Sequence, residues 1–93
     1  MTLPYTINPS PLSSPERVVV TSDPEAEKLL LSLGARHAPA VGWYLKPSRV
    51  KLFEALWNEK AVYARTGFYR FPDGAVRHLW GAREYLKRRR ATA

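Results

Sequence analysis

The sequence predicts a small single α+β domain: βαβα, then a β-hairpin, then a C-terminal helix. Three observations predict it. A β-branched run, Arg17 to Thr21, is followed at once by the helix start Ser22-Asp23-Pro24-Glu25. Leucines then recur at helical spacing up to Gly34, and an apolar periodicity of the same kind returns after Pro47. Pro72-Asp73-Gly74 separates two stretches in which apolar and polar residues alternate, which is a hairpin signal.

Residues 1–15 carry Pro4, Pro9, Pro11 and Pro15 among Ser10, Ser13 and Ser14. They read as an extended, linker-like arm, which Tyr5 and Ile7 could pin to the body or to a partner, with a disordered tail the preferred expectation. The domain proper spans 16–90, and 91–93 fray. Within it, Arg17 to Thr21 reads as a buried strand. Asp23 caps the first helix and Pro24 suits its first position. Ala26, Leu29, Leu30 and Leu33 face the core, and Gly34 supplies a left-handed C-terminal cap. Val41 to Leu45 forms the second strand, and Pro47 ends it. Ser48 is expected to cap a second helix from Arg49 to Lys60, with Val50, Phe53, Leu56 and Trp57 on its apolar face.

Ala61 to Arg65 alternates loosely. The hairpin follows, with Phe68 and Arg70 on one face and Tyr69 and Phe71 on the other. All strands are expected in one small mixed or antiparallel sheet, with the helices on one side. Residues 81–90 read as a short helix whose basic end complements its dipole. Trp43, Trp57 and Trp80 are expected to supply much of the core.

With 93 residues the chain can bury one modest core, without room for an enclosed catalytic cavity as well. It has no cysteine, which excludes a disulfide framework, thiolate metal sites and a cysteine nucleophile. The absence fits a reducing compartment. No apolar run approaches the length of a membrane span, and the first residues lack a basic signal-peptide region, so a cytoplasmic protein is expected. The sequence has no Gln, one Met and more Arg than Lys, a thermophile-like composition.

The net charge is +7 and unevenly placed: residues 1–45 sum to −1 and residues 46–93 to +8. That asymmetry points to a polyanionic partner, most often nucleic acid.

The stretch Leu33-Gly34-Ala35-Arg36, followed by Trp43-Tyr44 and Pro47, resembles a small module of conjugative DNA primases and mobile-element proteins. More distantly, it is similar to the HARP domain of annealing helicases. The resemblance covers about residues 17–57. It departs from the module's pattern at His37-Ala38, where Trp-Asp is usual, and the spacing to Trp43 is about one residue short. It implies a nucleic-acid-processing context.

Two surfaces have the composition of a nucleic-acid contact. Arg65, Arg70 and Arg77 interleave with Tyr63, Phe68 and Tyr69 on the hairpin, pairing phosphate-binding cations with stacking rings. Lys87, Arg88, Arg89 and Arg90 form a run suited to backbone contact without sequence readout. A third, smaller set is Arg36, Tyr44 and Lys46. Trp43 and Tyr44 alternate on a strand, so one should be core and the other half exposed.

His37 and His78 lack ligand-spaced partners, and no carboxylate pair or phosphate-cradling glycine loop is present. The expectation is therefore a non-enzymatic accessory protein without cofactor or metal. It would bind single-stranded or structured DNA or RNA, largely independently of sequence. The alternative is a phage- or mobile-element-type factor that docks on a larger protein and modulates it.

Overall fold

The computed structural model describes residues 3–10 and 15–92, with side chains through Arg89. The described residues form an α+β domain of two antiparallel sheets and three helices. Strands β1 (Tyr5–Pro9) and β2 (Arg17–Thr21) precede helix α1 (Pro24–Ser32). Then come β3 (Arg36–Ala38), β4 (Gly42–Leu45) and α2 (Pro47–Asn58). Strands β5 (Val62–Arg65), β6 (Phe68–Arg70) and β7 (Val76–His78) lead into α3 (Leu79–Thr92). The first sheet has the order β1-β2-β4-β3 and the second β5-β6-β7.

Two strands come from segments without a local strand signal. Residues 5–9, expected to lie in a disordered arm, pair along their whole length with β2, and Tyr5 is buried against Phe53 and Trp57 of α2. Thr21 Oγ1 donates to the Pro4 carbonyl at 2.8 Å and ties down the start of the strand. Residues 36–38 pair back onto β4 across a turn in which Ala40 takes a positive φ of 67°. The expected single sheet is therefore two: β1 and β3 flank β2 and β4 in the first, and β5, β6 and β7 build the second.

The helix ends follow backbone chemistry. Asp23 Oδ1 accepts from the N–H groups of Glu25 and Ala26 at 2.9 and 3.1 Å. Gly34, at φ 84°, closes α1: its N–H donates to Leu31 O, and Ala35 N–H reaches Leu30 O. The start of α2 differs from expectation. Pro47 takes the first helical position, Lys46 is the cap residue, and Ser48 lies inside the first turn. The same helix ends in the same motif as α1, with Lys60 at φ 58° where glycine is usual.

One core cluster joins both sheets and all three helices, with Val19, Leu29, Phe53, Tyr69 and Ala82 among its members. Trp43 belongs to it and Tyr44 is half-buried on the opposite side of β4. Trp80 does not join it and is 72% exposed. Helix α3 begins at Leu79 and turns Leu79, Ala82 and Leu86 inward, which carries Trp80 round to solvent. At Gly42, an added Cβ would lie 2.8 Å from Val18 Cγ1 and 2.9 Å from Val19 O, so only glycine fits β4 this closely against β2. Among the described residues, no helix is long and apolar enough to cross a membrane.

Candidate functional site

The second sheet has one face on the core and one face open. Its register pairs Tyr63 with Tyr69 and Tyr69 with Arg77, and that row points inward. The next rows point outward: Val62, Arg70 and Val76 form one, and Arg65, Phe68 and His78 the other. Regular pairing would set Ala64 opposite Phe68. A bulge between Tyr63 and Arg65 sets Arg65 there instead and turns its side chain onto the open face. The Arg65 guanidinium carbon lies 4.5 Å from the Phe68 ring centroid. His78 meets the same ring edge-on at 4.2 Å. The hairpin tip is held by Gly67 N–H donating to Tyr63 Oη at 2.8 Å. Arg65, Arg70 and His78 are exposed and Phe68 is half-buried, so the face presents two arginines, an imidazole and a ring edge together.

Arg77 is a correction to the expected arginine trio. Strand alternation puts it on the inner face beside Tyr69. Its guanidinium carbon sits 4.0 Å from the Tyr85 ring centroid and 4.8 Å from that of Phe71. Nη2 donates to Asp73 Oδ2 at 3.3 Å, while Nη1 is buried with no hydrogen-bond partner among the described residues. The Ala75 N–H and then Arg77 hold the Asp73 carboxyl below its ordinary range. Arg77 thus clamps the 72–75 turn to α3. Tyr69, likewise inward, donates from Oη to Ser32 Oγ at 2.8 Å, and burial pushes its hydroxyl above the ordinary value.

A second group forms where α1 ends and α2 begins. Strand pairing sets Arg36 directly opposite Tyr44, with its guanidinium carbon 5.8 Å from the ring centroid. The two residues line a cleft of about 290 Å³ together with Glu16, Lys46 and Arg49. Arg36 Nη2 bonds Glu16 Oε1 at 2.8 Å. Arg49 and Glu16 are the residues that sequence reasoning missed here. Arg49 follows Lys46 by three, one helical turn, which is the signal that could have joined it to the cleft.

The basic run on α3 is partly engaged in structure. Lys87 pairs with Glu84 at 3.8 Å, and Arg89 Nε reaches Oε1 of Glu59, the C-cap of α2, at 3.0 Å. Arg88 is exposed, and the side chain of Arg90 lies outside the described residues. His37 lies on Trp43, ring centroids 4.6 Å apart. Among the described residues, no three His, Asp or Glu side chains gather as a metal site.

No protein-family model, curated protein or solved structure matches the chain.

Proposed function

We propose that this chain is an accessory protein that binds single-stranded DNA or RNA across the open face of its second sheet. The observation that carries the reading is the bulge at Ala64, which brings Arg65 onto the face of Phe68, His78 and Arg70. Bases would stack on the rings of Phe68 and His78, and phosphates would meet the two guanidinium groups. Phosphate contact and stacking carry little sequence readout, so the binding is largely independent of sequence. The +8 charge of residues 46–93 supplies long-range attraction, and Arg88 with Lys87 extends it along α3. The resemblance of residues 17–57 to primase-associated modules points the same way. On this reading the chain works in the cytoplasm and uses neither cofactor nor catalytic group.

A fluorescence-anisotropy titration of a labelled oligonucleotide at several salt concentrations tests it. Each phosphate neutralised on a single strand contributes roughly −0.7 to the slope of log affinity against log salt. Two or three contacts therefore predict a slope of about −1.4 to −2. Negligible affinity at low salt would end the reading.

A specific observation favours a second reading, docking on a larger protein. Trp80 is 72% exposed, and a large exposed ring is a typical interface anchor. If Trp80→Ala abolishes capture by a partner and leaves oligonucleotide affinity unchanged, the two surfaces serve different ligands.

A further inference from the structure

The cleft between the end of α1 and the start of α2 is separate from the open sheet face and has its own chemistry. Its lining draws one basic residue from β3, Arg36, one from the β4–α2 junction, Lys46, and one from α2, Arg49. Tyr44 adds a half-buried ring directly across from Arg36. Among the described residues that line it, these three basic residues outnumber one carboxylate, Glu16, whose Oε1 takes the Arg36 guanidinium at 2.8 Å. The pair is solvent-exposed on the arginine side, so water and salt weaken it and a doubly charged anion can compete for the guanidinium. Helix α2 opens at the same place with no acidic residue in its first turn, and its positive dipole end adds to the field. At about 290 Å³ the cleft lies at the small end of ligand sites. It has room for one phosphate and its nearest substituents, not for the continuous backbone of a strand.

We infer that this cleft binds a phosphate monoester, with Arg36, Lys46 and Arg49 contacting the phosphate oxygens and the attached group lying against Tyr44. Glu16 is the resident competitor: it holds Arg36 in place when the cleft is empty and yields it to the dianion. Two sources share this chemistry, a free mononucleotide and the phosphorylated end of a nucleic-acid strand. The inference does not depend on the sheet-face reading, since none of its residues lies on that sheet.

Isothermal titration calorimetry on the full chain at low salt decides it. The probes are adenosine, adenosine 5′-monophosphate, and one oligonucleotide carrying either a 5′-hydroxyl or a 5′-phosphate. The monophosphate is expected to bind about tenfold or more tighter than adenosine, the scale of one good charge-assisted contact. Lys46→Ala with Arg49→Ala should remove that gain, and Glu16→Gln should tighten the monophosphate severalfold. The Glu16→Gln arm leaves all three cations in place, so the inference stays testable even if the double variant loses stability. A gain for the phosphorylated strand assigns the cleft to strand ends; a gain confined to the mononucleotide assigns it to free nucleotide. Equal binding of adenosine and its monophosphate overturns the inference. So does a double variant of unchanged melting temperature that binds the monophosphate like wild type. Arg65→Ala with Arg70→Ala should leave monophosphate binding intact, so failure of the sheet face and failure of the cleft read out separately.

Discussion

At Arg77 a guanidinium lies between two rings and a carboxylate, and that arrangement ties the 72–75 turn to α3. Cation–π contacts are worth about 0.5–2 kcal/mol depending on desolvation, and the aliphatic stem adds packing. Arg77→Ala should therefore lower stability by about 1–3 kcal/mol in urea unfolding while oligonucleotide affinity stays near wild type. A second residue held against its preference is Lys60. It occupies the left-handed position of a C-terminal cap, where a side chain costs about 1 kcal/mol. Lys60→Gly should raise stability by roughly that amount, read as a higher denaturation midpoint at unchanged slope. The same residue explains why the end of α2 was hard to place from sequence: the glycine that marks α1's end at Gly34 has no counterpart there.

At the scale of elements, the legible parts were those whose signal is local. Asp23-Pro24 and Gly34 bracket α1 as expected, and the 72–74 turn separates two strands as expected. What the sequence concealed was pairing over distance. Tyr5 and Ile7 mark a contact with the body, which the core bears out, but not a pairing with β2, and the surrounding prolines argue against a strand. Prolines are tolerated there because β1 is an edge strand, with Pro4 and Pro9 at or beyond its limits. The β3–β4 turn was equally silent, since Ala40 takes a positive φ that sequence patterns reserve for glycine or asparagine. The candidate site was half legible. Alternation separated Arg70 from Tyr69 correctly, but the bulge that turns Arg65 onto Phe68 depends on strand register, which no local pattern prints. Arg77 had the right residue type on the wrong face, and Trp80 a core residue type at a solvent position.

For the molecule as a whole, one core ties both sheets to all three helices, so titration of a buried group in it is felt by the entire fold. Tyr69 and Tyr5 both have hydroxyls whose ionisation is pushed above the ordinary value of 10.0, chiefly by burial. A raised folded value means stability that is complete below the unfolded value. It is lost as pH rises past 10 and through the folded values. Urea unfolding between neutral pH and pH 11 should show this alkaline decline. Tyr69→Phe should flatten it, while costing about 1 kcal/mol at neutral pH through the lost bond to Ser32. An unchanged alkaline slope in the variant would assign the decline elsewhere.

The charge distribution is also a property of the whole chain, and the division of labour among its arginines is the centre of the functional account. Arg65 and Arg70 face solvent beside Phe68, whereas Arg77 faces the core one strand away. The most direct measurement is the affinity of a labelled single-stranded oligonucleotide at low salt for wild type, Arg65→Ala with Arg70→Ala, and Arg77→Ala. The account predicts that the double variant loses at least about tenfold in affinity with its melting temperature unchanged. Arg77→Ala should melt earlier and bind as wild type does. A double variant that binds undiminished, or an Arg77 variant that loses as much as the double variant at equal stability, would contradict it.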